Sequence, residues 1–292
     1  KSIIIDHHEI NKPYPKSNAI INPKKETIKK ENSLLCATAL TYFFIEIIIK
    51  KTKSNFKISN FLIYVLLATI CDVMPLRKIN KIIAHNTIDN FKIQNNLALN
   101  HIFEQFNLKK KLTIDDLGFL IGPIINSGGR LNKSNYGVEL LSTDNLEIIK
   151  DRSSKLIALN NKRKIIEQSI LDEIDFEKIK KENKNVVIYY KDNLNEGLIG
   201  IIASRLKEYF NKPSIVITNS KNILKASARS TSTYNIGYLI RLLIEKKIID
   251  NGGGHNMAAG FTLKKNNINL LDDFIQKDYL KKNSNLNKTS KY

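Results

Sequence analysis

The stretch from about Leu146 to Lys180 constrains the fold more than any other. Ile149, Leu156, Leu159, Ile166, Ile170 and Ile174 recur there at intervals of three, four and seven among Lys, Arg, Glu and Asn. This periodicity lines one face of an α-helix with apolar side chains and leaves the other to water. Residues 146–181 are therefore expected to form one amphipathic helix of about 30 residues, roughly 45 Å long. A helix of that length at mid-chain commonly joins two domains, and 292 residues suffice for two cores of ordinary size. Apolar runs such as Phe61 to Met74 fall short of the roughly 20 residues that span a bilayer, so no membrane segment is expected. The opening, Lys1-Ser2 followed by three isoleucines and then Asp6-His7-His8, is too short and too polar for a secretory signal. Because the first residue is not Met, the sequence reads as a fragment.

Around the long helix, short elements alternate. Lys1 to Ile5 reads as a buried strand ended by Asp6-His7-His8, and Pro13, Pro15 and Pro23 mark an extended loop. Leu34 to Ile49 and Phe61 to Cys71 read as core helices, the second stopped by Asp72 and Pro75. Short helices are expected at Lys81 to Phe91 and His101 to Phe106. Ile121 to Arg130, with Pro123 and Gly128-Gly129, reads as a loop or tight turn. After the long helix come strands at Val186 to Tyr190, Ser214 to Thr218, Ile223 to Arg229 and Ala259 to Leu263. Helices are expected at Leu198 to Phe210 and Ile236 to Lys247, and a loop at Gly252-Gly253-Gly254-His255. The alternation makes both halves α/β. The tail, 279–292, is rich in Lys, Asn and Ser and is expected to be disordered.

A formal charge of +19 suits a polyanionic partner, nucleic acid before an anionic membrane. Lysine accounts for 40 of the 47 basic residues, so much of that excess is a solvated surface, and the seven arginines are the more informative. Cys36 and Cys71 each sit in an apolar run without a metal ligand at zinc spacing, as small core residues do. Nothing in the chain needs a disulfide, which fits a reducing cytoplasm.

Asp6-His7-His8 puts a carboxylate and two imidazoles at a strand end, where ligands of open α/β sheets bind. Such donors suit divalent ions such as Mn, Fe or Zn. Asp72 ends a mostly apolar run and so lies where a helix leaves the core; a metal or a cation would offset the cost of its charge there, and water would serve as well. Asn126 and Arg130 flank Ser127-Gly128-Gly129, and a guanidinium grips phosphate bidentately as Lys cannot. Ser227 and Arg229 end a predicted strand. The run Gly252-Gly253-Gly254 could present bare backbone N–H groups to an anion as a nest, with His255 beside it.

Asp6-His7-His8, Cys71-Asp72-Val73-Met74-Pro75-Leu76, Asn126-Ser127-Gly128-Gly129-Arg130, Gly197 to Leu206 and Gly252 to Gly260 occur in the order seen in the RecJ family. In this the chain resembles the single-strand-specific 5′→3′ exonucleases of the DHH phosphoesterase superfamily. The resemblance runs from residue 1 to about 275. It implies two α/β domains joined by a long helix: a partial DHH phosphoesterase domain at 1–145 and a DHH-associated nucleic-acid-binding domain at 182–278. It implies a two-metal site for Mn²⁺ or Mg²⁺, with His7 and Asp72 as ligands and Asp6 orienting His7 from behind. His8 and His255 become catalytic contacts to the scissile nucleotide. Asn126, Arg130, Ser227, Arg229, Gly253, Gly254 and His255 become nucleic-acid contacts.

Single-stranded DNA is then the substrate, repair and recombination the setting, and a single-strand-binding protein and a helicase the expected partners. The family's Asp-x-Asp motif should precede the DHH triplet, and an oligonucleotide-binding barrel should follow the glycine–His domain; neither is in this sequence. Leu194-Asn195 replaces a Trp-His, Ile124 an Arg, and Ala37 and Ala39 positions often held by Gly. Two other readings remain: a DHH-family phosphodiesterase for oligoribonucleotides or cyclic dinucleotides, and a non-catalytic nucleic-acid-binding scaffold.

Overall fold

The structure, a computed structural model, describes residues 1–10, 12–25, 33–220 and 223–289, with side chains described through residue 282. The chain divides into two compact units, 1–160 and 161–292.

The first unit opens with two three-residue strands, β1 (Ile3–Ile5) and β2 (Ala19–Ile21), paired in parallel with Ile3 opposite Ala19. Among the described residues six α-helices follow: α1 (Ala37–Thr52), α2 (Leu62–Cys71), α3 (Lys78–Asn90), α4 (Leu97–Gln105), α5 (Gly122–Arg130) and α6 (Asn135–Leu141). The first half of α7 (Leu146–Asp172) closes the unit. Leu66, Leu99, Ile102, Phe103, Leu117, Ile121, Ile124 and Leu156 are buried together at its centre. Removing each such side chain from water contributes about 1.5–3 kcal/mol. Among the described residues this unit is mainly helical, so the even α/β alternation expected for both halves holds only in the second. β2 lies inside the stretch expected to be loop: Ala19, Ile20 and Ile21 pair with β1, and the prolines fall outside those three residues.

The second unit is built on a five-stranded sheet of order β3 (Val187–Tyr190), β4 (Ser214–Ser220), β5 (Ile223–Arg229), β7 (Ala258–Leu263), β6 (Asn251–His255). β3 and β4 run parallel and the other pairs antiparallel. Along β5 the buried side chains Leu224, Ala226 and Ala228 alternate with the less buried Lys225, Ser227 and Arg229, the period-two signature of a strand whose two faces differ in burial. The packed face is covered by α10 (Ile236–Glu245) and α11 (Ile268–Thr289), through Leu239, Leu243, Leu271 and Ile275. On the other face α9 (Ile199–Phe210) seats Ile202 and Leu206 on Val187 and Val216, together with Ile170 and Ile174.

Three further expectations are corrected. The amphipathic segment is two helices: α7 ends at Asp172 and α8 runs Phe176–Glu182, because the Asp175 carboxylate accepts the Lys178 N–H and starts a new helix. Residues 121–130 are helical, not a turn. A π-helical turn at Asp116–Ile121 leads into α5, and Leu117, Ile121, Ile124 and Gly128 recur on its buried side. Glycine serves close approach there: a Cβ at Gly122 would lie 2.6 Å from Cys71 Sγ, and one at Gly128 2.6 Å from the Lys133 carbonyl. Finally, α11 continues to Thr289 where a disordered tail was expected, its Leu271 and Ile275 anchored in the core; the last three tail residues, 290–292, lie outside the described residues.

Candidate functional site

β1 delivers Asp6-His7-His8 at its C-terminal end, and the Asp6 N–H extends the strand ladder to the Ile21 carbonyl at 3.0 Å. The turn beyond is held by Asn22, fully buried, whose amide donates to the His8 carbonyl at 3.0 Å and accepts from the Lys24 N–H at 2.8 Å. Sequence reasoning passed over Asn22; its signal was a polar residue between an apolar triplet and Pro23. The Asp6 carboxylate bonds His8 Nδ1 at 2.7 Å, so Asp6 orients His8 and not His7 as expected. Two residues apart at a strand end, the two side chains lie on one side of the turn, whereas His7 points inward. Burial would raise the Asp6 carboxyl, but bonds from His8 and from the His7 and His8 backbone bring it below its usual value.

The His7 side chain is only 13% exposed, and its Nε2 lies 3.6 Å from Asp72 Oδ2. The two residues expected as metal ligands are thus brought together. Burial holds the His7 imidazole below its ordinary pKa, with Asp72 pulling the other way, so at neutral pH the ring offers a lone pair.

Asp72 gets its place from the way α2 stops. Val73 adopts a left-handed φ of 53°, and the Met74 N–H turns back to the Thr69 carbonyl at 2.9 Å. That conformation in a β-branched residue costs on the order of 1–3 kcal/mol, and the hydrogen bond from Met74 helps to hold it. The brace is α5, whose Gly122 lies on Cys71; burial, then the Asp72 charge, push the Cys71 thiol up to about 11. Farther along α5, Asn126 and Arg130 are one turn apart on the same side, while Ser127 faces inward and donates to the Leu156 carbonyl at 3.0 Å.

In the second unit, strand register gathers the remaining residues. Val216, Ser227, Gly260 and Gly253 form one row across β4, β5, β7 and β6; Ser214, Arg229, Ala258 and His255 form the next. Ser227, Arg229, Gly253 and His255 therefore share the face opposite the α10–α11 core. Gly254 pairs with Ala259, puts the site of its absent side chain on the packed face, and does not join them. The glycine run is an extended edge strand, not the loop or anion nest expected, and no described glycine has a positive φ. The reason is again proximity: a Cβ on Gly254 would meet the Ala258 carbonyl at 2.4 Å, whereas one on Gly253 would meet nothing within 4 Å. Arg229 donates to Ser227 Oγ at 3.1 Å, and Gly200 in the first turn of α9 makes room for the guanidinium, since a Cβ there would lie 2.8 Å from Nη2.

Among the described residues no group of three or more His, Cys, Asp or Glu side chains is arranged to hold a metal ion. His7 and Asp72 still fit as two ligands of one ion, a borderline nitrogen and a hard oxygen. Their 3.6 Å separation is within the roughly 4.2 Å that two bonds of about 2.1 Å can span. No helix of the described residues is long and apolar enough to cross a membrane.

The DHHA1 domain family matches residues 183–280, the sheet-bearing part of the second unit. With that match the chain is, by class, a mixed α/β protein carrying a DHHA1 domain in its second unit. More particularly, it is RecJ-like. It is 29% identical over 283 residues to the single-stranded-DNA-specific exonuclease RecJ of Haemophilus influenzae, covering 90% of this chain and 49% of that protein. Its fold is similar to that of RecJ from Thermus thermophilus in complex with Mn²⁺, with a TM-score of 0.80 at 19% identity over 96% of this chain and 41% of that one. It is also similar to an exonuclease RecJ bound to manganese, with a TM-score of 0.71 at 19% identity over 94% and 68% of the two chains. The chain spans about half the length of the curated relatives it matches.

Proposed function

We propose that this chain carries part of the active site and the strand-binding domain of a RecJ-type exonuclease that hydrolyses single-stranded DNA from its 5′ end in repair or recombination. Residues 1–145 would be the part of the DHH domain present, and residues 182–278 the DHH-associated domain. The observation that carries the proposal is the convergence of His7 Nε2 and Asp72 Oδ2 at 3.6 Å. His7 and Asp72 would hold Mn²⁺ or Mg²⁺, which when bound supplies Lewis-acid stabilisation of charge at phosphorus and an activated water. Asp6 accepts a hydrogen bond from Nδ1 of His8 and so sets which ring nitrogen His8, 79% exposed, offers to a phosphate. Asn22 holds that turn still. Asn126 and Arg130 contribute phosphate contacts from α5, and Arg229, Ser227, Gly253 and His255 from the sheet face. The overall charge of +19 favours a polymeric anion as substrate.

The test is hydrolysis by the full-length gene product, with Mn²⁺ supplied, of 5′- and 3′-labelled single strands, duplex and a dinucleotide. Nucleotides released from the 5′ end of single strands, and lost with bound Mn²⁺ in Asp72→Ala and His7→Ala, are expected. Preference for the dinucleotide would point to a phosphodiesterase of short substrates, and strand binding without hydrolysis to a scaffold; either overturns the proposal.

A further inference from the structure

Away from both sites, the second unit has a cavity of about 380 Å³ between α8, the start of β3 and the end of α9. That volume is at the lower end of the roughly 300–1,000 Å³ typical of small-ligand sites. Its lining has two chemical halves. Ile179, Tyr209 and Phe210 form an apolar, aromatic wall, and Lys180, Lys184 and Lys212 supply the cations, with the Glu182 carboxylate among them.

Tyr209 is 61% exposed, unusual for an aromatic side chain of this size, yet it is not loose. Its ring packs on Phe176 with centroids 4.6 Å apart and edge-on against Phe210 at 4.9 Å. An exposed ring held in place by two others can receive a planar ligand with little further loss of entropy.

The lysines differ in what they have left to offer. Lys184 is satisfied by Asp272 at 2.5 Å, with Glu182 at 3.7 Å. Lys212 donates to the Lys184 carbonyl at 2.7 Å and to Asn183 Oδ1 at 3.4 Å; both acceptors are neutral, so its charge is not cancelled. Neither Lys180 nor Lys212 is in an ion pair among the described residues. Two uncompensated cations beside a braced aromatic surface match an anion that carries a flat ring.

We infer that this cavity is a nucleotide-binding site, with the base against Tyr209 and the phosphate between Lys180 and Lys212. It is separate from the Arg229 face: Gly200, which makes room for Arg229, and Tyr209 lie at opposite ends of α9, roughly 14 Å apart along its axis. The nucleotide could arrive free in solution or as a unit of a single strand, and the chemistry is shared.

Calorimetric titration of the whole chain with dAMP, with inorganic phosphate and with a single-stranded oligonucleotide tests this. Loss of one stacking surface should weaken dAMP about tenfold in Tyr209→Ala, while Tyr209→Phe retains binding. Lys180→Glu, a surface change that leaves the aromatic cluster intact, should weaken dAMP and phosphate alike. If strand affinity falls in Tyr209→Ala in step with dAMP, the site takes a nucleotide of a strand; if only dAMP is affected, it takes the free one. Folding of each variant is read from its melting temperature. Wild-type dAMP binding no tighter than phosphate, or unchanged by both Tyr209→Ala and Lys180→Glu, would overturn the inference. Strand binding that depends on Arg229 would survive that outcome, so the proposed function would stand or fall separately.

Discussion

The two units hold their candidate residues by different devices. In the first, His7 comes from the end of a strand and Asp72 from the end of a helix, and they meet because Gly122 of α5 packs on Cys71 and because Val73 is forced into a left-handed conformation. In the second, Ser227, Arg229, Gly253 and His255 come from two strands of one sheet, β5 and β6, and share a face through alternation and pairing register across β7. A site made from element ends depends on several long-range contacts at once and tolerates little displacement, as metal ligation requires. A site made from register is spread over an extended face at strand spacing, which suits a polymer of repeating charge.

The contrast is sharpest in what a lost side chain should do. In the full-length gene product, His255→Ala is expected to lower turnover on single strands by about 10²- to 10⁴-fold with manganese content unchanged, since this residue belongs to the register-built face. Metal analysis beside the rate assay checks it, and loss of manganese in His255→Ala would erase the distinction between the two regions.

The glycine run offers the next largest effect. Gly254→Ala should destabilise the protein by about 1–3 kcal/mol, because its Cβ would push the β7 backbone at Ala258 and Ala259. Gly253→Ala, facing open space, should be neutral or stabilising by up to about 1 kcal/mol, as it restricts the unfolded chain. Thermal melts of the two variants decide between an edge strand and a turn, where neighbouring glycines would be more nearly equivalent.

Arg229→Ala should weaken single-strand binding and reduce the slope of log affinity against log salt by about one. An unchanged slope would mean that the face binds no phosphate through this side chain.

The smallest effect concerns the bracing of the first unit. Asp116 is buried at the start of the helix leading to α5, where it accepts from the Thr113 N–H at 2.9 Å and from Lys110 at 2.8 Å. Burial alone would raise its carboxyl, but the bonds from Lys110 and Thr113 win and hold it below the ordinary 3.8. A depressed carboxyl stabilises the folded state fully above its unfolded pKa and loses that contribution as pH falls through the folded value. Stability measured from pH 6 to pH 2 should therefore fall less steeply in Asp116→Asn than in the wild type.

Much of this was legible in the residues. The apolar run Phe61 to Cys71 became α2 at Leu62–Cys71, and Ile223 to Arg229 became β5 with the bounds expected. Both are written in neighbouring residues, through hydrophobic period and the breakers Asp72 and Pro75. The order of the Asp-His-His, Asp72, Asn126–Arg130 and glycine–His motifs likewise pointed to the RecJ family. Only the tertiary structure decided what the glycines are for. Gly122 and Gly128 read locally as turn residues, yet Gly122 is required by a thiol that α2 brings to it and Gly128 lies under Leu156 of α7, while Gly254 is required by the strand β7 it pairs with. The same holds for Asn22 beneath His8 and for the row that joins Arg229 to His255. Local propensity depends on adjacent residues and survives in the sequence, whereas close approach and strand register depend on partners supplied only when distant segments pack.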